Sequence, residues 1–329
     1  METTGGLKRL STILDAVGGT PLLPLRRVMG GVPADVFAKL EFLNPMGSVK
    51  DRIAKYMVEK AERDGRLKPG ATIVDNSSGN TALGLAMVCA VKGYKLKMVV
   101  RDSTSPEKIN FLNSLNVELV FVDHTLPPEH PGSYNNLAPR VAAETPGGYY
   151  LNQHNCRDNN EAHYMSTGPE IWEQMDGRID YFVAGVGTGG TICGTAKYLK
   201  EKDPRVKVIG VDPAGSIFCD YFHSGKVVSS KRYLLEGLGD EFLIGCVDFS
   251  LLDDMYRITD REAFRATRDL ADKEGVLAGG SSGAVVWACL ELARRLGRPA
   301  RIVTILADSA NRYLSTIYND NWLRDRGLF

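Results

Sequence analysis

Hydrophobic positions along this chain alternate between two periods. Short runs rich in β-branched and apolar residues, at 36–40, 72–74, 95–100, 118–122, 181–184, 207–211 and 301–306, are too brief for helices and read as buried strands. Between them, at 49–64, 81–92, 106–115, 168–174, 191–201, 260–274 and 283–296, apolar residues recur at helical spacing. This alternation predicts an α/β protein whose largely parallel sheets are covered by helices on both faces. The stretch 124–150 breaks the rhythm with Pro127, Pro128, Pro131, Pro139 and Pro146, and reads as an irregular connection between two doubly wound units. No internal repeat or low-complexity tract stands out.

Length and composition narrow the class. The 329 residues are enough for two domains sharing a large core, and 43% apolar with 24% charged residues is a globular balance. Forty basic and forty acidic residues cancel, which removes the electrostatic case for nucleic acid or a membrane surface. No apolar run reaches the ~18 residues of a membrane span. The start, Met1-Glu2-Thr3-Thr4-Gly5-Gly6, carries no basic lead and apolar core, so no secretory leader is expected. Six scattered cysteines without a C-x-x-C pair suit reduced thiols in a cytoplasm and predict no metal site.

Candidate chemistry begins at Lys50, in Asn44-Pro45-Met46-Gly47-Ser48-Val49-Lys50-Asp51-Arg52. Ile53, Met57 and Ala61 mark the following helix, Gly65 its stop, and Ser48 with Asp51 the spacing of a capping pair. Lys50 then sits in the first turn, where the helix dipole disfavours a cation and partial burial favours the neutral amine. A neutral amine forms a Schiff base with an aldehyde such as that of pyridoxal phosphate. The same position also fits a lysine whose stem swings its charge into water.

Three further segments each join a strand or turn to a helix start. Gly185-Val186-Gly187-Thr188-Gly189-Gly190-Thr191 can converge backbone amides on an anion such as phosphate. It also satisfies G-x-G-x-x-G, with Asp212 roughly twenty residues on, so an NAD-dependent dehydrogenase is a competing reading. Against that, the loop lies deep in the chain and leaves Lys50 without a task. Asn76-Ser77-Ser78-Gly79-Asn80-Thr81 offers hydroxyls and amides to a carboxylate, or simply caps its helix. Ala278-Gly279-Gly280-Ser281-Ser282-Gly283 reads by itself as a helix start. His154, Cys156 and His163 fall near Gln153 and carry no assignment. Arg101 and Arg157 are candidates to meet an anionic leaving group or second substrate.

In this order the four segments resemble the cysteine synthase and cystathionine β-synthase family of fold type II pyridoxal-phosphate enzymes. The likeness runs from Gly18-Gly19-Thr20-Pro21-Leu22 to Asp308-Ser309-Ala310-Asn311-Arg312-Tyr313. It implies a tryptophan synthase β-like fold of two doubly wound domains. Residues 1–42 with 146–329 would form the larger, phosphate-binding domain. Residues 43–145 would form a smaller domain that carries Lys50 and the 76–81 loop and closes on substrate. The resemblance makes Lys50 the cofactor's attachment point and catalytic base, and Asn80 the contact to its phenolic oxygen. Gly187, Thr188, Gly189, Gly190 and Thr191 would hold its phosphate, and Ser281 would face its pyridine nitrogen. Ser77, Ser78, Gly79, Thr81, Gln153 and Gly237 would line the substrate.

A neutral serine at the pyridine nitrogen makes a weak electron sink and favours loss of a β-leaving group. The implied reaction is β-replacement on L-serine or an O-acetyl or O-phospho form, through an aminoacrylate intermediate, giving cysteine or a related β-substituted alanine. A small nucleophile and a homodimer are implied with it. Departures cluster around the substrate: Asn76 and Ser77 stand where the family has proline and threonine, and Ala82 and Ala307 where it has glycine and proline. The tail from Ile302 to Leu323 resembles the siderophore-type N-(2-amino-2-carboxyethyl)-L-glutamate synthases, which make a diaminopropionate precursor with an amine donor. By contrast, Leu235-Glu236-Gly237-Leu238-Gly239 and the stretch from His163 to Trp172 resemble cystathionine β-synthase, so that activity and cysteine desulfhydration also stay open. The haem segment and regulatory pair of the animal enzyme are not expected.

Overall fold

The computed structural model describes residues 9–127 and 129–329, so the reading of the first six residues lies outside it. Ten strands form: β1 (Leu22–Leu25), β2 (Asp35–Leu40), β3 (Thr72–Asn76), β4 (Lys95–Arg101), β5 (Glu118–Val122), β6 (Gly148–Tyr150), β7 (Tyr181–Gly185), β8 (Lys207–Pro213), β9 (Asp254–Ile258) and β10 (Arg301–Leu306). The helices up to the phosphate loop are α1 (Lys50–Arg63), α2 (Asn80–Lys92), α3 (Pro106–Ser114), α4 (Tyr134–Glu144), α5 (Asp158–Met165) and α6 (Thr167–Gln174). After it come α7 (Gly190–Lys202), α8 (Phe218–Ser224), α9 (Asp260–Glu274), α10 (Gly280–Leu296) and α11 (Asp320–Arg324).

Two sheets result, one six-stranded in the order β1-β2-β10-β7-β8-β9 and one four-stranded in the order β5-β4-β3-β6. Every pairing is parallel except β1 with β2. Central strands are buried on both faces, as the unbroken burial of β3 shows, so they carry apolar runs rather than alternation. β1 escapes the pattern because Pro24 gives no amide to a ladder, which confines it to the antiparallel edge.

The 124–150 stretch is more regular than its prolines suggest. It contains α4, which runs through Pro139 and buries Ala138 and Ala142, followed by β6. Packing against β3, β4 and β6 compensates the backbone bond that proline removes. β6 pairs with β3, so the smaller sheet extends past residue 145, the boundary expected from the sequence.

A buried charge network fixes α1 against the larger sheet. Arg52 Nε and Nη2 donate to the two oxygens of Glu41 at 2.7 and 2.8 Å, and its Nη1 and Nη2 donate to Glu170 at 2.8 and 2.7 Å. Lys39, fully buried, meets Glu170 at 2.6 Å and donates to the Thr20 carbonyl at 2.6 Å. Burial pushes Glu170 up, but its hydrogen bonds and charge contacts with Arg52 and Lys39 outweigh that and hold it at about 2. The helix bearing Lys50 is thereby tied to β2 and α6 by charges that have no water to fall back on.

Candidate active site

Lys50 opens α1. Its amide donates to Ser48 Oγ at 3.2 Å and Asp51 accepts from the Met46 amide at 2.6 Å, so the expected capping pair takes amides upstream of those in a regular capping box. The Ser48 backbone bridges to Asp308, and the Val49 amide donates to the Ala307 carbonyl at 2.8 Å. Arg312 Nη2 and Nη1 clamp the carbonyls of Met46 and Gly47 at 2.5 and 3.3 Å. Burial lowers the Lys50 amine below its ordinary range, with the Asp308 carboxylate pulling the other way.

Asp308, at the end of β10, joins three of the four sequence segments and was given no role by the sequence. Its Oδ2 accepts from Asn80 Nδ2 and from the Tyr313 hydroxyl, both at 2.8 Å. Its carbonyl accepts from the Gly279 amide at 3.0 Å, beside the Ser281 turn. A Cβ on Gly279 would stand 2.1 Å from Asp308 Oδ1, so only glycine permits this approach. Ser281 then sits in the first turn of α10, 8% exposed.

The 76–81 loop closes the carboxylate side. Thr81 Oγ1 donates to Gln153 Oε1 at 2.6 Å, and Gln153 Nε2 donates to the Asn76 carbonyl at 3.0 Å. Ser77 turns its Oγ inward to the Gly79 amide at 3.2 Å, while Ser78 and Gly79 remain partly accessible. Asn76, in place of the family's proline, donates from Nδ2 to Asn135 Oδ1 at 2.5 Å and so ties the loop to α4.

Gly187 to Thr191 lead into α7, whose first-turn amides have no intrahelical acceptor. Two residues missed by the sequence reading shape this loop. Asn159 Nδ2 donates to the Gln153 carbonyl at 2.8 Å and to Thr188 Oγ1 at 3.0 Å, linking substrate and phosphate loops. His163, fully buried, contacts Thr191 Oγ1 through Nε2 at 3.1 Å and Thr167 Oγ1 through Nδ1 at 2.8 Å. Burial, then the charges of Arg52 and Lys50, push its imidazole well down, so it stays a neutral hydrogen-bonding strut. Only spacing on one face of α5 could have flagged either residue.

Backbone approach explains the glycines. A Cβ on Gly187 would meet the Gly237 carbonyl at 2.5 Å, and one on Gly190 would stand 1.7 Å from Asn159 Oδ1. Gly237 itself holds φ +80°. Gly190→Ala should therefore weaken pyridoxal phosphate binding about five- to hundredfold, since overpacking of this kind costs about 1–3 kcal/mol. Fluorescence titration checks it, and an unchanged dissociation constant removes the loop from phosphate binding.

The dinucleotide reading finds no support at Asp212. That side chain is fully buried and accepts the Cys219 amide through Oδ2 at 2.9 Å, capping the turn into α8 instead of facing a ligand. Arg101 lies 4.6 Å from the Tyr134 ring centroid and 3.8 Å from Glu241, at the edge of the pocket, whereas Arg157 is exposed.

The donor set fits pyridoxal phosphate. A lysine amine whose charged form burial disfavours, an Asn80 Nδ2 that gives one hydrogen to Asp308 and has a second to donate, and a helix start where added Cβ atoms would clash match its aldehyde, its phenolic oxygen and its phosphate.

Comparison with known proteins agrees. The family model "Pyridoxal-phosphate dependent enzyme" matches residues 13–308. Cystathionine beta-synthase of Apis mellifera is 41% identical over 323 residues, 98% of this chain and 64% of that protein, so this chain spans under two thirds of that relative. Cysteine synthase of Staphylococcus aureus is 40% identical over 311 residues, 94% of this chain and 97% of that one. The crystal structure of a hydrogen sulfide-producing enzyme from Fusobacterium nucleatum covers 93% of this chain at 34% identity with a TM-score of 0.85, and all of that chain is matched. The chain belongs to the pyridoxal-phosphate dependent enzyme family, as its four segments implied.

Proposed function

We propose that this pyridoxal-phosphate dependent enzyme carries out β-replacement on L-serine or an O-activated L-serine, giving cysteine or a related β-substituted alanine. The observation that carries the reading is Lys50. Burial lowers its amine below the ordinary lysine range, and it stands near the junction of the chain after β10 with the 76–81 loop, which Thr81 and Gln153 hold in place. The bound cofactor supplies an electron-withdrawing ring that makes the substrate's Cα–H bond acidic.

The chain's own groups do the rest. Ser77, Ser78, Gly79 and Thr81 bind the substrate carboxylate, with Gln153 holding Thr81 in place. Lys50 Nζ holds the cofactor and, once displaced by substrate, takes the α-proton as general base. Asp308 takes one hydrogen of Asn80 Nδ2 and so orients the second to donate to the phenolic oxygen. Ser281 offers a hydroxyl, not an acid, to the ring nitrogen, which favours prompt loss of the β-substituent over reprotonation at Cα. Gly187 to Thr191 carry the phosphate.

Likeness to cysteine synthase over nearly that whole protein supports a cysteine-forming direction with sulfide as nucleophile. Likeness to a hydrogen sulfide-producing enzyme supports cysteine desulfhydration as the second reading. A homodimer in the cytoplasm completes the proposal; six free cysteines support the reducing setting, and no helix among the described residues is long and apolar enough to cross a membrane.

The test offers O-acetyl-L-serine, O-phospho-L-serine and L-serine separately to the loaded enzyme and measures released acetate or phosphate, then cysteine after sulfide is added. Release from an activated serine followed by cysteine is the expected result. No release from any of them, with cysteine instead broken down to sulfide, would favour the second reading.

A further inference from the structure

One pocket side chain has no task in that scheme: His154. Its backbone is pinned from both sides. The preceding Gln153 is bonded through its amide to Asp75 at 3.4 Å, through Nε2 to Asn76, through Oε1 to Thr81, and through its carbonyl to Asn159. His154's own carbonyl accepts the Cys246 amide at 3.1 Å, and Asn155 and Cys156 fold back onto the Asn152 carbonyl at 3.1 and 2.8 Å. Asn152 adopts φ +57° to make that turn. With the backbone so held, the ring's Nδ1 is buried without a hydrogen-bond partner.

The surroundings of the ring say what it meets. It feels the positive charges of both Lys50 and Arg101, so both lie within electrostatic reach of the ring. Burial, reinforced by those two charges, pushes the imidazole down to about 4, so at neutral pH it is an uncharged ring with one donor and one acceptor nitrogen. An open ring nitrogen beside Lys50 is costly to the fold unless a ligand completes it. Arg101 is a poorer candidate for that ligand's reacting end, because it is 48% exposed and already occupied by Tyr134 and Glu241.

We propose that His154 contacts the second substrate: its free Nδ1 accepts the hydrogen of an incoming X–H nucleophile, a thiol or an amine, and aims the X lone pair at the substrate's β-carbon. The inference rests on the β-replacement reading. It makes His154 a determinant of the second half-reaction alone, and it selects nucleophiles that still carry a hydrogen on the attacking atom.

His154→Phe removes the acceptor and keeps a ring of similar size; His154→Asn keeps a polar atom near the Nδ1 position. With 2-mercaptoethanol and methylamine as probe nucleophiles, His154→Phe should leave cofactor affinity and leaving-group release from O-acetyl-L-serine within twofold of the parent. It should slow the nucleophile-dependent step at least tenfold for the better probe, and His154→Asn should restore most of that loss. Nitrogen-15 NMR of the loaded enzyme adds a readout independent of turnover. The His154 ring signal, identified by its loss in His154→Asn, should show an unprotonated Nδ1 that shifts when the probe is added. A protonated Nδ1, an unchanged second step, or equal slowing of both steps in His154→Phe would overturn the assignment. Absence of leaving-group release in the parent enzyme would instead sink the β-replacement reading.

Discussion

Lys50→Ala is expected to bind pyridoxal phosphate without its visible yellow colour and to lose about four orders of magnitude in β-replacement rate. On the proposed reading the substitution removes both the covalent hold on the cofactor and the base that receives the α-proton. It should not unfold the chain, because no hydrogen bond of the Lys50 amine holds the surrounding loops together. Those loops are joined by Ser48, Asp308 and Arg312 instead. An amine whose pKa is lowered in the folded state is one that folding disfavours in its charged form, so cofactor-free Lys50→Ala should be at least as stable as the parent at neutral pH. Absorbance and steady-state rates on matched protein check the first claim and denaturant melts the second. A mutant that stays yellow on purification would remove Lys50 from the centre of the reaction.

Arg52→Met is expected to cost about 3–5 kcal/mol of stability, the largest single loss outside the hydrophobic core. Arg52 is 3% exposed and Glu41 fully buried, so removing the guanidinium strands a carboxylate that water cannot reach. Lysine is not an adequate replacement, since Arg52 uses its fork to serve Glu41 and Glu170 together. Pairing the change with Glu41→Gln should recover part of the loss, which separates a stranded charge from a packing defect. The acid limb carries a second signature. Glu170 is held at about 2 in the folded protein, so its contribution is complete above the ordinary glutamate value and is lost as pH falls toward 2. In Arg52→Met that limb should flatten, because only Lys39 and the Gly19 amide remain to hold the carboxylate. Equilibrium unfolding across acid pH measures both effects, and a loss below 1 kcal/mol would show the network to be ornamental.

The two expectations differ in how visible their residues were. Lys50 could be singled out because a lysine in the first turn of a helix is electrostatically awkward and its neighbours in sequence supply the cap and the stop. The glycine loop was visible because glycine density before a helix has few other uses. Arg52 stood in the same segment, yet nothing local disclosed that Glu41 and Glu170 converge on it from β2's end and from α6. The same reason left Asp308 and His163 named in the sequence without a role, and Asn159 unnamed. Each acts through a partner between 28 and 228 residues away, a separation no periodicity encodes. The stretch around α4 failed in the opposite sense: prolines announced a break, while packing against β3 and β6 kept the helix intact.

By itself, then, the chain determined the α/β class, the parallel strands and the four loops, because backbone sterics, burial and helix-end electrostatics act over a few neighbouring positions. Tertiary structure alone decided how those loops meet: Asp308 joins Lys50, Asn80 and the Ser281 turn, Asn159 couples carboxylate and phosphate loops, and His154 is left with an open nitrogen beside the reacting amine. Those relations depend on desolvation and on contacts across hundreds of residues, and both come into being only when the two sheets pack.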